Sequence, residues 1–125
     1  MHDTQPEIAL SGKELALVRE ILQTLLPERE VWAFGSRVHR RALKKYSDLD
    51  LAVMGDDPIP SKISSELRDA FDESLLAFKV DIVDWATTSD RFRKIIEQAK
   101  VVVQAARDSQ SISESSSAAS PRRSL

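Results

Sequence analysis

Leu15, Val18, Ile21, Leu22 and Leu25 recur at the three- and four-residue spacing that places side chains on one face of a helix. Ser11 and Glu14 precede them in the order of a capping box, in which the hydroxyl accepts from the third backbone N–H and the glutamate reaches back to the cap. Pro27 ends the run, so the pattern predicts a helix over 12–26. Glu30 to Phe34 reads as a short strand, and a brief helix begins at Ser36. Leu49, Leu51 and Val53 form the apolar face of a second strand. After a loop at Met54-Gly55-Asp56-Asp57-Pro58, Pro60 and Ser61 open a helix with Ile63, Leu67, Phe71 and Leu75 along one side. Lys79 to Asp84 alternates again and is the third strand. Thr87-Thr88-Ser89-Asp90 caps a helix carrying Phe92, Ile95 and Ile96. Val101-Val102-Val103 fits either a last strand or the tail of that helix, and pattern alone does not separate the two.

The ends of the chain lack such periodicity. Residues 1–10 read as a flexible lead-in, 11–105 as one domain, and 106–125 as a Ser-rich tail that buries too little apolar area to offset its ordering cost and is expected to be disordered. A chain of 125 residues suffices for a single modest core. The formal charge of −2 gives no global field favouring nucleic acid or an anionic membrane, so direct nucleic-acid binding is not expected. The absence of cysteine excludes disulfides, thiolate ligands and cysteine nucleophiles, and two histidines argue against a histidine-rich zinc site. With no signal-peptide pattern and no apolar stretch near the ~20 residues of a spanning helix, the expected location is the cytoplasm.

The chemistry concentrates in two places. Gly35-Ser36 follows the first strand, and Asp48-Leu49-Asp50 heads the second. Alternation points Asp48 and Asp50 the same way, roughly 6–7 Å apart. Two like charges so close repel unless a cation lies between them, which fits a hard divalent metal carrying a nucleoside triphosphate. Gly35 has no Cβ to obstruct a phosphate, and Ser36 offers its hydroxyl and free N–H groups at a helix start. Arg37 is the basic residue best placed for a phosphate. Asp81, in mid-strand between Val80 and Ile82, is the third carboxylate that would complete a two-metal site. Asp84 lies off that face and reads as structural. Each element also has a plain alternative: a turn with an N-cap, a solvated strand edge, a solvated basic loop at His39-Arg40-Arg41. Trp32 and Trp85 read as core or partner-contact aromatics.

Together, Gly35-Ser36, Asp48-x-Asp50 and the later strand Asp81 resemble the motif set of the DNA-polymerase-β-like nucleotidyltransferase superfamily. The compact runs Val31–Arg37 and Phe78–Ser89 resemble its minimal nucleotidyltransferases, the MNT domains, over about 12–104. The resemblance implies an α+β fold, a small mixed β-sheet with helices packed on one face and the carboxylates on the other. It implies transfer of AMP from ATP to an acceptor hydroxyl, with Gly35, Ser36 and Arg37 at the nucleotide. Asp48 and Asp50 would hold two Mg²⁺ ions, and Asp81 would bind one of them and help activate the acceptor. It implies, finally, an antitoxin paired with a small all-helical HEPN protein, on which the hydroxyl would lie. The alternative function is a non-catalytic nucleotide-binding antitoxin, or interaction module, that neutralises its helical partner by docking. The chain departs from the family in two respects: the segment between Ser36 and Asp48 is one residue longer than usual, and Arg40 stands where a glycine is common.

Overall fold

The computed structural model describes residues 8–40, 43–44 and 46–106. Its elements run α1 (Gly12–Leu25), β1 (Val31–Phe34), α2 (Ser36–His39), β2 (Leu49–Val53), α3 (Ser61–Asp72), β3 (Val80–Asp84), a 3₁₀ turn at Trp85–Thr87, α4 (Asp90–Gln98) and β4 (Val101–Gln104). The strands form one mixed sheet in the order β3-β2-β1-β4. β1 is antiparallel to both β2 and β4, whereas β2 and β3, joined through α3, are parallel. This is the small mixed α+β architecture the sequence led one to expect, and the ambiguous valine run resolves as a strand because β1 offers it a free edge.

Strand alternation divides the molecule into two layers. Val31, Ala33, Leu49, Leu51 and Val53 point to one face, where α1 contributes Val18 and Leu22 and α3 contributes Leu67 and Phe71. Burying each such side chain contributes about 1.5–3 kcal/mol, which makes this layer the main source of stability. Trp32, Phe34, Ala52 and Val83 point to the opposite face, where α4 sets Ile96 against them. Thus α1 and α3 share one face, as the resemblance implied, while α4 partly covers the face that bears the carboxylates.

The helix ends follow local chemistry. The capping box at α1 forms, with Glu14 N–H donating to Ser11 Oγ at 3.1 Å and Ser11 N–H to Glu14 Oε1 at 2.8 Å. Gln104 closes the other end of that region, its Nε2 donating to the carbonyls of Leu26 at 2.8 Å and Arg29 at 2.9 Å. α3 stops earlier than the apolar spacing suggested: Ser74 Oγ donates to the Phe71 carbonyl at 2.6 Å, and Leu75 lies past the end, 96% exposed rather than on the buried side. Asp84 is structural as expected, capping the 3₁₀ turn and accepting from the Ile59 N–H at 2.9 Å.

The expected lead-in requires correction at its end. Ile8 and Leu10 are buried in the main core, and Ala9 N–H donates to the Arg37 carbonyl at 2.7 Å, so residues 8–10 belong to the domain. Residues 1–7 and the Ser-rich segment from 107 onward lie outside the described residues. Among the described residues no helix is long and apolar enough to cross a membrane.

Candidate active site

The register of two strand pairs builds the site. Phe34 pairs with Asp50 across the antiparallel β1/β2 ladder, and Asp50 pairs with Asp81 across the parallel β2/β3 ladder. Directly paired residues point to the same face, so the two carboxylates stand side by side at the strand spacing of about 4.8 Å. Asp48 precedes β2 by one residue and is exposed. The charges act on the member held most tightly. Asp50 is pushed up from 3.8 to about 6, first by burial, then by the charge of Asp81, then by that of Asp48.

Gly35 follows Phe34 and turns sharply, at φ 82° and ψ −159°, a conformation open to glycine and strained for other residues. A Cβ built there would run into the Asp50 carboxylate, with the Asp50 Cγ only 3.2 Å away. The turn therefore lies directly against the acid. α2 begins at Ser36, whose hydroxyl has no hydrogen-bond partner among the described residues. At the far end of α2, Arg40 adopts the left-handed conformation, φ 65° and ψ 9°, which favours glycine.

Gly35, Asp50 and Asp81 line one cleft of about 630 Å³. Its other wall is apolar and comes from α4: Phe92 and Ile95, with Gln98 and Ala99 behind them. Phe92 is seated on Phe34 edge to face, ring centroids 5.8 Å apart, which fixes α4 against the sheet. His39 from α2 also reaches the cleft. The α4 wall was not assigned from sequence, although the narrow apolar stripe Phe92, Ile95 and Ile96 in an otherwise charged helix was its signal.

Arg37 is not at the cleft. Instead of meeting a phosphate it is buried, its Nε donating to the Ser47 carbonyl at 2.9 Å and its Nη1 to the Ala9 carbonyl at 2.7 Å. Its guanidinium lies 4.0 Å from the Phe78 ring centroid. Three distant segments are thereby held together by one side chain, and the expectation of a nucleotide contact from Arg37 is corrected. The tryptophans pack on each other, Trp32 edge-on to Trp85 at 5.3 Å, with Lys100 above Trp32 and Arg93 above Trp85.

The donor set suits a hard cation. Its oxygens are all carboxylate, they stand close enough to repel one another, and the missing Cβ at Gly35 is what lets the Asp50 carboxylate lie against the turn. Among the described residues no three acidic or imidazole side chains are gathered closely enough to hold a metal ion, and Asp48 does not line the cleft with Asp50 and Asp81. A cation here would share one or two carboxylates with substrate phosphates and water, the usual habit of Mg²⁺.

Comparison with known proteins agrees with this geometry. The family described as "Polymerase beta, Nucleotidyltransferase" matches residues 18–108. A relative from Haemophilus influenzae named "Probable protein adenylyltransferase MntA" is 50% identical over 98 residues, which span 78% of this chain and 85% of that protein. Among solved structures, a toxin-antitoxin with AMP-PNP superposes with a TM-score of 0.62 at 19% identity, covering 78% of this chain and 77% of the other. A mutant form of the toxin-antitoxin MntA-HpeT gives 0.60 at 17% identity, over 78% and 77%. These two likenesses show a shared fold. A family match over most of the chain, joined to paired aspartates set against a Gly-Ser turn, makes this protein a member of the polymerase β nucleotidyltransferase family.

Proposed function

We propose that the protein transfers AMP from ATP to a hydroxyl of a protein partner, and that it is the cytoplasmic antitoxin of a HEPN/MNT toxin–antitoxin pair. The observation that carries this reading is the in-register pair Asp50–Asp81 lying against the Gly35 turn. The identity with a named protein adenylyltransferase, extending over most of that relative, supports the choice of a protein acceptor.

In this reading Asp48, Asp50 and Asp81 would hold two Mg²⁺ ions, which when bound would supply neutralisation of phosphate charge and a lower pKa for the acceptor hydroxyl. Gly35 lets the polyphosphate approach the backbone, and the Ser36 hydroxyl donates to a phosphate oxygen. The α4 wall, with Phe92 and Ile95, excludes water from one side of the cleft. The acceptor oxygen forms its bond to the α-phosphorus as the bond to the bridging oxygen of the β-phosphate breaks. Pyrophosphate leaves, and the hydroxyl proton passes to Asp81 and then to solvent.

The test is label transfer from α-labelled ATP with Mg²⁺ to a co-expressed HEPN-class partner, beside the Asp48→Asn/Asp50→Asn variant. A labelled partner band with the wild type alone is the expected result. Should the double variant still form the complex and still neutralise the partner, docking rather than transfer is the function.

A further inference from the structure

The face opposite the cleft carries a feature that nucleotide chemistry does not use. Between α1 and α3 runs an open groove of about 650 Å³ whose floor is apolar: Leu17, Ile21 and Leu25 from α1 and Ala70 from α3. The three α1 residues recur every fourth position and so form a continuous stripe. Leu17 is only half-buried and packs in neither core layer. The stripe continues past Leu17 into a neighbouring hollow that ends at Leu75 and Leu76, and Leu75 is 96% exposed. Ile21, Leu25 and Leu76 pack against the main core from this side, whereas Leu17 and Leu75 lie outside it, and aliphatic side chains so placed beside an apolar floor mark a surface that packs against something.

The rim says what kind of surface that is. Glu20 stands on the α1 side, and Glu66, Asp69 and Glu73 on the α3 side. The groove lining contains no basic residue; Lys13 enters only at the far hollow. None of these acids is engaged in a salt bridge among the described residues. Both walls are helices whose interior backbone groups are satisfied within the helix, so no edge is available for an added strand and binding must be through side chains. A helix lying in such a groove sets its ridge between two others at the normal 8–10 Å spacing.

We propose that this groove docks an amphipathic helix of a partner protein, one that presents aliphatic side chains to the Leu17–Leu25 stripe and lysine or arginine to both rims. The proposal extends the reading above by giving the partner a seat behind the sheet, away from the transfer cleft. The two readings fail separately, because transfer is scored by label at the aspartates and docking by binding at the groove.

The probe is a synthetic Leu/Lys amphipathic peptide of 14 residues, the length of α1. Its affinity is measured for the wild type, Glu66→Lys/Glu73→Lys, Leu17→Asp and the cleft variant Asp48→Asn/Asp50→Asn. Docking at the groove predicts binding that weakens at least about tenfold in each of the two groove variants. The cleft variant should bind as the wild type does, and a Lys/Ser peptide of equal charge should bind weakly or not at all. Unfolding temperatures confirm that the surface variants remain folded. Equal binding by the groove variants, loss of binding in the cleft variant, or equal binding of the Lys/Ser peptide would each overturn the proposal. So would self-association of the wild type that Leu17→Asp abolishes, since the occupant would then be a second copy of this chain.

Discussion

Asp50 is half-buried, faces Asp81 across a parallel register and feels Asp48 from the strand's head, and each circumstance opposes its ionisation. With its folded value near 6 against 3.8 unfolded, the folded state holds the proton more tightly. Its contribution to stability is therefore complete below about pH 4 and is lost as pH rises through 6. Thermal unfolding of the ligand-free protein should show this as a fall between pH 4 and 7 that is absent from Asp50→Asn, the difference between the two curves isolating the group. Mg²⁺ with ATP should restore the wild type most strongly above pH 6, where the carboxylate is ionised, and should not restore the variant. Arg37 behaves oppositely. Removing its side chain leaves the carbonyls of Ser47 and Ala9 unpaired, so Arg37→Ala should cost on the order of 3 kcal/mol, seen as a lower urea midpoint. A lysine should not rescue it, having no planar fork. ATP affinity measured in the cold should change little, the reverse of what a phosphate ligand would give. That Asp50 and Asp81 share a face was legible because alternation is a local signal. Arg37 was not, because its partners Ala9, Ser47 and Phe78 are far from one another along the chain.

The helices and three strands could be read from periodicity and caps, since Ser11, Glu14, Pro27 and Ser89 act on residues within one turn of themselves. What escaped depended on pairing between elements. Val101–Gln104 has no alternation to identify it and is a strand because β1 accepts it. Leu75 has the correct spacing for α3, yet Ser74 turns the chain before it. The turns at either end of α2 give two further tests. Gly35→Ala forces a side chain into a glycine conformation and against the Asp50 carboxylate; we expect a loss of about 1–3 kcal/mol from backbone strain. Transfer should fall on the order of 10²-fold as Asp50 is displaced, read from the initial rate of labelling. Arg40→Gly should relieve backbone strain of about 0.5–1 kcal/mol, because glycine adopts the left-handed conformation at no steric cost, offset by whatever the Arg40 side chain contributes; a higher urea midpoint is the expected result.

At the scale of the molecule, the sheet separates two surfaces, an acidic cleft against α4 and an acidic groove between α1 and α3. Whichever partner meets both must do so around the sheet's edge or through more than one subunit. The parallel pairing of β2 with β3 has a further consequence, one of timing. Asp50 and Asp81 are brought together only after the loop, α3 and a second loop have been made and folded between them, and the α4 wall comes later still. A chain still being synthesised therefore displays its glycine turn and its first two aspartates well before it owns a working cleft. Non-local pairing of this kind is slow to form. In the proposed function, the two carboxylates can thus act together only once this crossover has folded and β3 has paired with β2.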